Sequence, residues 1–299
     1  GFVDCDALSD LDTTILGYDN QPAWKKGRVW PRSYLEAGPY EMYTREELAF
    51  QKRYAFSQLI RNGITTALPI ASLFYRAWGE TVQEFEDAAV AAADLGMRTY
   101  LGPAYRTGNQ VVESDGRVVT YYEGERGLAE LDAAIDFAGR HEGQAGGLIR
   151  AMFAPDRIET STAELLRRTA AASRELDIPV RLHCCQSKIE YDLVLAQHGL
   201  SPPEWLASLG FLDQRCLLPH GTVVSGSRLI DRPGRDLEII RDSGARIVHC
   251  PLVSGRHGNA INHFGSYRAM GLNIAMGTDT SPPDMIDALT FTSPTPFSP

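Results

Sequence analysis

The chain has 299 residues, a length that α/β barrels commonly take as a single domain. Its formal net charge of −9 argues against nucleic-acid or anionic-membrane partners, which need a clustered basic face. No stretch approaches the roughly 18 consecutive apolar residues of a membrane span. These totals favour a small-molecule substrate, with no nucleic acid and no membrane as partners.

The cysteine content points to a reducing compartment. The chain has five cysteines, an odd number, and no CxxC pair, so a disulfide framework is not expected. No signal peptide opens the sequence. The sequence therefore predicts a cytoplasmic protein.

The first ten residues, GFVDCDALSD, have the pattern of a buried strand that runs into an acidic loop. Side chains alternate across a strand, so Asp4, Asp6 and Leu8 are expected on one face, with Val3 and Cys5 on the other. The alternative is an edge strand whose acids are solvated.

Strand and helix patterns alternate along the whole chain, which predicts an α/β fold. Eight such units close most naturally into a (βα)8 TIM-like barrel. An open doubly wound sheet is the alternative, but no G-x-G-x-x-G follows a strand. The predicted strands are Phe2–Cys5, Ile64–Leu68, Arg98–Leu101, Leu148–Phe153, Pro179–His183, Cys216–Pro219, Arg246–Cys250 and Asn273–Met276.

Helix signals fill the intervals between these strands. The clearest helix, Arg45–Asn62, begins with a capping box formed by Thr44 and Glu47 and is followed by Gly63. The Asp115–Gly116 pair predicts a β-hairpin. Further helices are predicted at Glu80–Leu95, Leu128–Arg140 and Thr162–Glu175.

The sequence predicts one barrel domain over residues 1–299, truncated at both ends. Residues 290–299, which end in the sequence FTSPTPFSP, are expected to be an irregular tail. The connection from Asp10 to Tyr43 is long and rich in aromatic residues and proline. It is expected to be a binding loop or a packed surface cover, and it includes Trp30.

Titratable residues finish several predicted strands. TIM-like barrels place their chemistry at the carboxyl ends of the strands, where these side chains can converge. The residues in question are Asp6, His183, His220, His249 and Asp279.

Six motifs, in order and spread along the chain, resemble the amidohydrolase superfamily. Within it, the likeness is to the branch of cytosine deaminase-like and triazine chlorohydrolase-like enzymes. The motifs are GFVD, GITT, PVRLHCCQ, LLPHG, VHCP and GTD.

The resemblance implies a mononuclear metal hydrolase. It implies His183 and Asp279 as metal ligands, His220 as the residue that orients the attacking water, and His249 as a substrate contact. A divalent cation would lower the pKa of bound water toward ~7, and Asp279 could accept that proton. Homologous barrels of this branch commonly form homo-oligomers.

Two departures from the family pattern stand out. The H-x-H pair on strand one falls at Asp6 and Leu8, so one position keeps a carboxylate and the other has no ligand. The proton-shuttling Glu falls at Gln186, whose amide does not titrate near neutral pH. The flanking β-sandwich of the family has no counterpart in the 299 residues.

Three hypotheses remain open. In the first, a divalent metal, with zinc and iron as the leading candidates, is held by His183, Asp279 and Asp6, with His220 and Cys185 as further candidate ligands. In the second, Asp4, Asp6 and Asp279 act as acid/base groups of a hydrolase or lyase without metal. In the third, the barrel binds a ligand or partner without turnover.

We expect a hydrolase that acts on a C–N bond of a small cyclic or heteroaromatic substrate. Asp279, His220 and Gln186 are the candidate catalytic residues. Arg106 and Trp30, together with His249, are the candidate substrate-binding residues. A Cys184–His183 nucleophile is not expected, because adjacent strand residues point to opposite faces.

Overall fold

The structure is a computed structural model that describes residues 1–10, 30–33, 43–70, 78–256, 261 and 264–292, with Trp30 and Arg256 described by their backbone alone. The Trp30 side chain, most of the Asp10–Tyr43 connection and the end of the predicted tail thus lie outside the described residues. Within the described ranges, no helix has the length and apolar character needed to cross a membrane.

Eight barrel strands alternate with helices, as the sequence predicts. They are β1 (Phe2–Leu8), β2 (Ile64–Ile70), β3 (Arg98–Leu101), β4 (Ile149–Ala151), β5 (Val180–Arg181), β6 (Cys216–Pro219), β7 (Arg246–His249) and β8 (Asn273–Met276).

The strands form two parallel four-stranded sheets, β1 to β4 and β5 to β8. A bridge between Phe153 and Val180 joins β4 to β5. Beyond the end of β8, the N–H of Asp279 donates to the carbonyl of Asp6 on β1 at 2.8 Å. These two links close the sheets into the predicted (βα)8 barrel.

Five of the eight strands, β1, β2, β4, β5 and β7, differ from the sequence prediction in at least one bound. Strand β1 continues to Leu8 rather than ending at Cys5, and its register against β2 shifts between Asp4 and Ala7. Strand β5 is limited to two residues. Beyond Arg181 the backbone leaves the regular ladder, although the N–H of His183 still reaches the carbonyl of Asp156 at 3.2 Å.

Ten α-helices of six residues or more lie in the described ranges. The capping box of the first is confirmed, since Thr44 accepts from the N–H of Glu47 and Glu47 accepts from the N–H of Thr44. The helices are α1 (Arg45–Arg61), α2 (Val82–Leu95), α3 (Gly124–His141), α4 (Ala163–Leu176), α5 (Lys188–His198), α6 (Pro202–Ser208), α7 (Asp236–Ser243), α8 (Pro251–Arg256), α9 (Phe264–Ala269) and α10 (Met285–Phe291).

The predicted hairpin is present between β3 and α3. Gly108–Val112 pairs antiparallel with Val118–Tyr122, and the short strand Trp30–Pro31 lies parallel to the first of them. The hairpin is an insertion, and its two strands belong to a sheet separate from those of the barrel.

Two apolar clusters lie between the strands and the helices, and a smaller one fills the barrel interior. Asp4 and Asp6 lie within this apolar setting with 0% exposure, whereas Val3 is 51% exposed. The alternative of an edge strand with solvated acids is therefore wrong. The interior cluster consists of Leu68, Ala104, Met152, Ala154, Leu217, Val248, Cys250 and Val253.

A buried hydrogen-bond set closes the barrel between β1 and β8. One oxygen of Asp4 accepts from the Thr278 N–H at 3.0 Å, and the other accepts from the Thr278 hydroxyl at 2.6 Å. Gly277 precedes this contact, and a Cβ there would lie 2.7 Å from the Cβ of Asp6. The absence of a side chain at Gly277 lets the two strand ends approach.

Replacing Asp4 is expected to weaken this closure. In Asp4→Ala, the N–H and hydroxyl of Thr278 would lose their buried acceptor, which we expect to lower the free energy of unfolding by about 2–4 kcal/mol. Asp4→Asn keeps one acceptor and should lose less. Urea unfolding of each variant measures the effect.

The matched control is Asp94→Ala, which removes an exposed ion pair with Arg53 and should change stability by about 0.5 kcal/mol or less. Equal losses for Asp4→Ala and Asp94→Ala would contradict the assigned role of Asp4.

Candidate active site

Three of the predicted strand-end residues converge in one buried group. Ligand atoms of Asp6, His183 and His220 all lie within 4.8 Å of one another. The Asp6 Oδ1 atom is 3.8 Å from His183 Nε2. The imidazole rings of His183 and His220 stack with their centroids 5.5 Å apart.

The barrel positions these side chains from separate strands. Asp6 lies on β1, and His183 and His220 come directly after the ends of β5 and β6. His220 has φ 81°, and Asp279 after β8 has φ 43°. Residues other than glycine adopt a positive φ only where the surrounding structure holds the backbone in that conformation. Such residues are common at functional sites.

A backbone contact fixes the orientation of His183. Its Nδ1 atom is 2.7 Å from the carbonyl of Asp156, which can only accept, so Nδ1 carries the proton. Nε2 then carries a lone pair, and it lies 3.8 Å from Asp6 Oδ1. Burial, followed by the nearby Arg157, lowers the pKa of His183 well below its usual range. The ring is therefore neutral at pH 7, as a metal ligand must be.

The Asp6 carboxyl is fully buried and lies beside other charged groups. Burial, followed by the negative charge of Asp279, raises the pKa of Asp6 well above its usual range, while Arg181 opposes that rise. Among the described residues, Asp6 Oδ1 accepts no hydrogen bond. It lies 3.7 Å from Arg181 Nη1, and Arg181 donates to the carbonyls of Leu68 and Pro69 at 3.0 and 3.1 Å.

Asp279 lies next to the group of Asp6, His183 and His220 but is not one of its three members. Its Oδ2 atom is 3.9 Å from His220 Nε2. The predicted ligand set of His183, Asp279 and Asp6 is thus brought to one end of the barrel, with His220 nearer to Asp6 and His183 than the sequence indicates.

These residues fit a divalent metal ion. Two imidazole nitrogens and a carboxylate are donors that suit zinc or iron, and an Asp6 oxygen without a hydrogen bond faces the histidines. Leu8 supplies no donor. Cys185 is not part of this group, because its Sγ instead contacts Cys184 at 3.6 Å. The further candidate ligand Cys185 is therefore not placed with His183.

Gln186, which the resemblance predicts to stand at the position of the proton-shuttling Glu, contacts Arg157. Arg157 Nη1 donates to the Gln186 side-chain oxygen. Burial alone would lower the pKa of Arg157, but Asp156 and Glu159 raise it. With its oxygen accepting from the guanidinium, Gln186 also offers its NH2 group as a hydrogen-bond donor.

The candidate substrate-binding residues lie in different settings. His249 is 3% exposed, packs on the Phe264 ring at 5.6 Å between centroids, and has its pKa lowered to about 4 by burial. Arg106 is buried, donates to the carbonyl of Trp78 and lies 3.5 Å from Asp156. The described contacts of its side chain are with these two residues and not with the His183 group.

The structure removes one of the three acid/base candidates of the metal-free hypothesis. Asp4 accepts two hydrogen bonds from Thr278 and one from the N–H of Asp6 at 3.1 Å, so it serves the closure of the barrel. Of the three acids in that hypothesis, Asp6 and Asp279 remain, since each lies within 4 Å of one of the histidines.

Sequence reasoning missed Arg181 and the pairing of Arg157 with Gln186. A signal for Arg181 was available, because it precedes His183 by two residues on a predicted strand and shares its face. Charged residues on an inward face need a partner, and Arg181 has Asp6. No local pattern indicated the contact between Arg157 and Gln186, which are 29 residues apart.

The chain is similar in sequence to curated deaminases. The 5-methylthioadenosine/S-adenosylhomocysteine deaminase of Halobacterium salinarum is 25% identical over 271 residues, which are 89% of this chain and 54% of that protein. The 8-oxoguanine deaminase of Pseudomonas aeruginosa is 28% identical over 241 residues, 80% of this chain and 50% of that protein. The chain thus spans about half the length of the curated relatives it matches.

A solved structure shares the fold. A mutant atrazine chlorohydrolase of Arthrobacter aurescens TC1, complexed with zinc and atraton, superposes with a TM-score of 0.67 at 17% identity, covering 95% of this chain and 60% of that one. The resemblance to the deaminase and triazine hydrolase branch is confirmed. Residues 23–298 match the signature of the amidohydrolase family, and the chain belongs to that family.

Proposed function

We propose that this barrel performs hydrolytic deamination of a small heteroaromatic molecule with the help of one divalent metal ion. The observation that carries the proposal is the convergence of Asp6, His183 and His220 within 4.8 Å at the carboxyl ends of three strands. Relatives named as deaminases of adenosine derivatives and of 8-oxoguanine support the same C–N bond chemistry.

Asp6, His183 and His220 would hold the metal, with Asp279 as the nearest further donor. The metal would lower the pKa of a bound water toward ~7 and so supply a nucleophile at neutral pH. We favour zinc, because nitrogen and carboxylate donors suit it and a structural neighbour is complexed with zinc. Iron is the alternative.

The remaining chemistry rests on protons that the chain itself must move. Asp279 lies 3.9 Å from His220 Nε2, beside the proposed ligands, so its carboxylate is placed to accept a proton from the attacking water and return it to the leaving amine. Gln186 cannot shuttle a proton, but its NH2 group can donate a hydrogen bond to a ring nitrogen or a carbonyl of the substrate.

Neutral and aromatic groups suit a flat, uncharged substrate. His249 is neutral at pH 7 because burial lowers its pKa to about 4, and it packs against Phe264. Its predicted role in contacting substrate is consistent with stacking on a heteroaromatic ring. Arg106 and Trp30 remain predicted substrate contacts, and a homo-oligomer and a cytoplasmic location remain predictions from the sequence.

Removal of a proposed ligand should remove metal and activity together. We expect Asp6→Ala and His183→Ala to lose at least most of the bound metal and about 100-fold or more of any deaminase activity. Elemental analysis per chain measures the metal, and ammonia release from amino-substituted purines and triazines measures the reaction.

The matched control is His198→Ala, since His198 stacks on Trp205 on the outer helices, 3.9 Å between ring centroids, and does not contact the Asp6 group. Wild-type chain that folds, binds no metal and releases no ammonia from either ring class would count against the proposal and in favour of a binding barrel.

Restoring the family glutamate should raise activity only in part. In Gln186→Glu, the new carboxylate would lie against Arg157, which would lower the pKa of the carboxyl and weaken it as a proton donor. We expect a gain in kcat of about tenfold, which is below the roughly 10²–10⁴-fold typical of general acid–base catalysis. Addition of Arg157→Met should increase the gain further.

Measurement of kcat against pH for the single and double variants tests this coupling, with Gln197→Glu on the exposed face of α5 as the control. A single variant as active as the double variant would show that Arg157 does not restrain residue 186.

A further inference from the structure

Two adjacent cysteines lie side by side directly after His183. The Sγ atoms of Cys184 and Cys185 are 3.6 Å apart, and both residues are 1% exposed. In a regular strand, neighbouring side chains point to opposite faces. Here Cys185 has φ 62°, a left-handed conformation that is uncommon outside glycine, and this turn brings its sulfur to the side of Cys184.

A buried carboxylate joins the two sulfurs. One ligand atom each of Cys184, Cys185 and Glu190 lies within 4.8 Å of the others. Glu190 is fixed in place, because its two oxygens accept from the N–H groups of Cys185 at 2.5 Å and Gln186 at 2.9 Å. Each carboxylate oxygen has a second lone pair, so these hydrogen bonds leave it able to coordinate a cation.

The spacing of the sulfurs matches the edge of a tetrahedral metal site. With metal–sulfur bonds of about 2.3 Å and tetrahedral angles, two thiolate ligands of zinc lie about 3.8 Å apart. The observed separation of 3.6 Å needs almost no adjustment. Two sulfurs and one oxygen form a softer donor set than the imidazoles and carboxylate of the Asp6 group.

We propose that Cys184, Cys185 and Glu190 form a second metal site, selective for a thiophilic divalent ion such as zinc or cadmium. As each metal–sulfur bond forms, the thiol releases its proton to solvent, so two protons leave for each ion bound. No ligand is shared with the Asp6, His183 and His220 group. The proposal does not depend on the proposed deaminase activity.

An ion at this site would tie together the ends of two barrel strands. The carbonyl of Cys185 accepts from the N–H groups of Thr222 and Val223, both at 2.9 Å, in the loop that follows His220. Coordination of the Cys185 sulfur would therefore fix the segment that carries His183 against the segment that carries His220.

Cadmium titration of the metal-free full chain tests the site. We expect a thiolate-to-cadmium charge-transfer absorption in the ultraviolet that saturates at one equivalent per chain. Cys184→Ser and Cys185→Ser, which nearly preserve side-chain size, should each lose most of this absorption. Circular dichroism melting checks that the variants are folded.

Two control variants separate the sites. Cys216→Ser alters another buried cysteine, whose Sγ donates to the carbonyl of Phe211, and should keep the absorption. Asp6→Asn weakens the first metal group and should also keep it. Absence of the absorption in the wild-type chain, its retention in both cysteine variants, or its loss in Asp6→Asn would overturn the proposal.

X-ray absorption of the wild-type chain loaded with two equivalents of zinc gives a test that needs no variant. We expect sulfur neighbours at about 2.3 Å in addition to nitrogen and oxygen neighbours. A spectrum with nitrogen and oxygen neighbours alone would show that the two cysteines do not bind zinc, and it would overturn the proposal.

Discussion

The closure of the barrel between β1 and β8 is the constraint on which the site depends. Both oxygens of Asp4 accept hydrogen bonds from Thr278, one of them also accepts from the N–H of Asp6, and Gly277 leaves room for the strands to meet. The same approach allows the N–H of Asp279 to reach the carbonyl of Asp6. Because of these contacts, residues 273 positions apart in sequence become neighbours at the barrel mouth.

Closure places two acidic side chains close together, and a buried arginine partly offsets their repulsion. Asp6 and Asp279 are brought together in a dry environment, which disfavours two negative charges. Arg181 lies 3.7 Å from Asp6 and is itself held by two carbonyls of β2, so its position is set by the sheet. A divalent ion held by Asp6 and the histidines would offset the negative charge that Arg181 leaves uncompensated.

The barrel and the convergence at its mouth could be predicted from sequence because both follow from local patterns. Alternating strands and helices indicate a parallel barrel, and such a barrel gathers the residues that end its strands, including His183 and His220. The conformation of Cys185 could not be predicted in this way. Strand alternation would place its side chain on the same face as that of His183. Instead, the carbonyl of Cys185 accepts from the N–H groups of Thr222 and Val223, which are distant in sequence, and its backbone adopts a left-handed conformation that brings the sulfur to Cys184.

The two departures from the family pattern have different physical consequences. Replacement of a histidine by Leu8 removes a neutral donor, and the approach of His220 to Asp6 offers another nitrogen in the same group. Replacement of the glutamate by Gln186 removes a titrating group, and Arg157 occupies the oxygen that the amide retains. The first loss can be met by rearranged ligands, whereas the second changes which groups carry protons. In the proposed mechanism, the barrel therefore differs from the family pattern chiefly in proton transfer, which falls to Asp279.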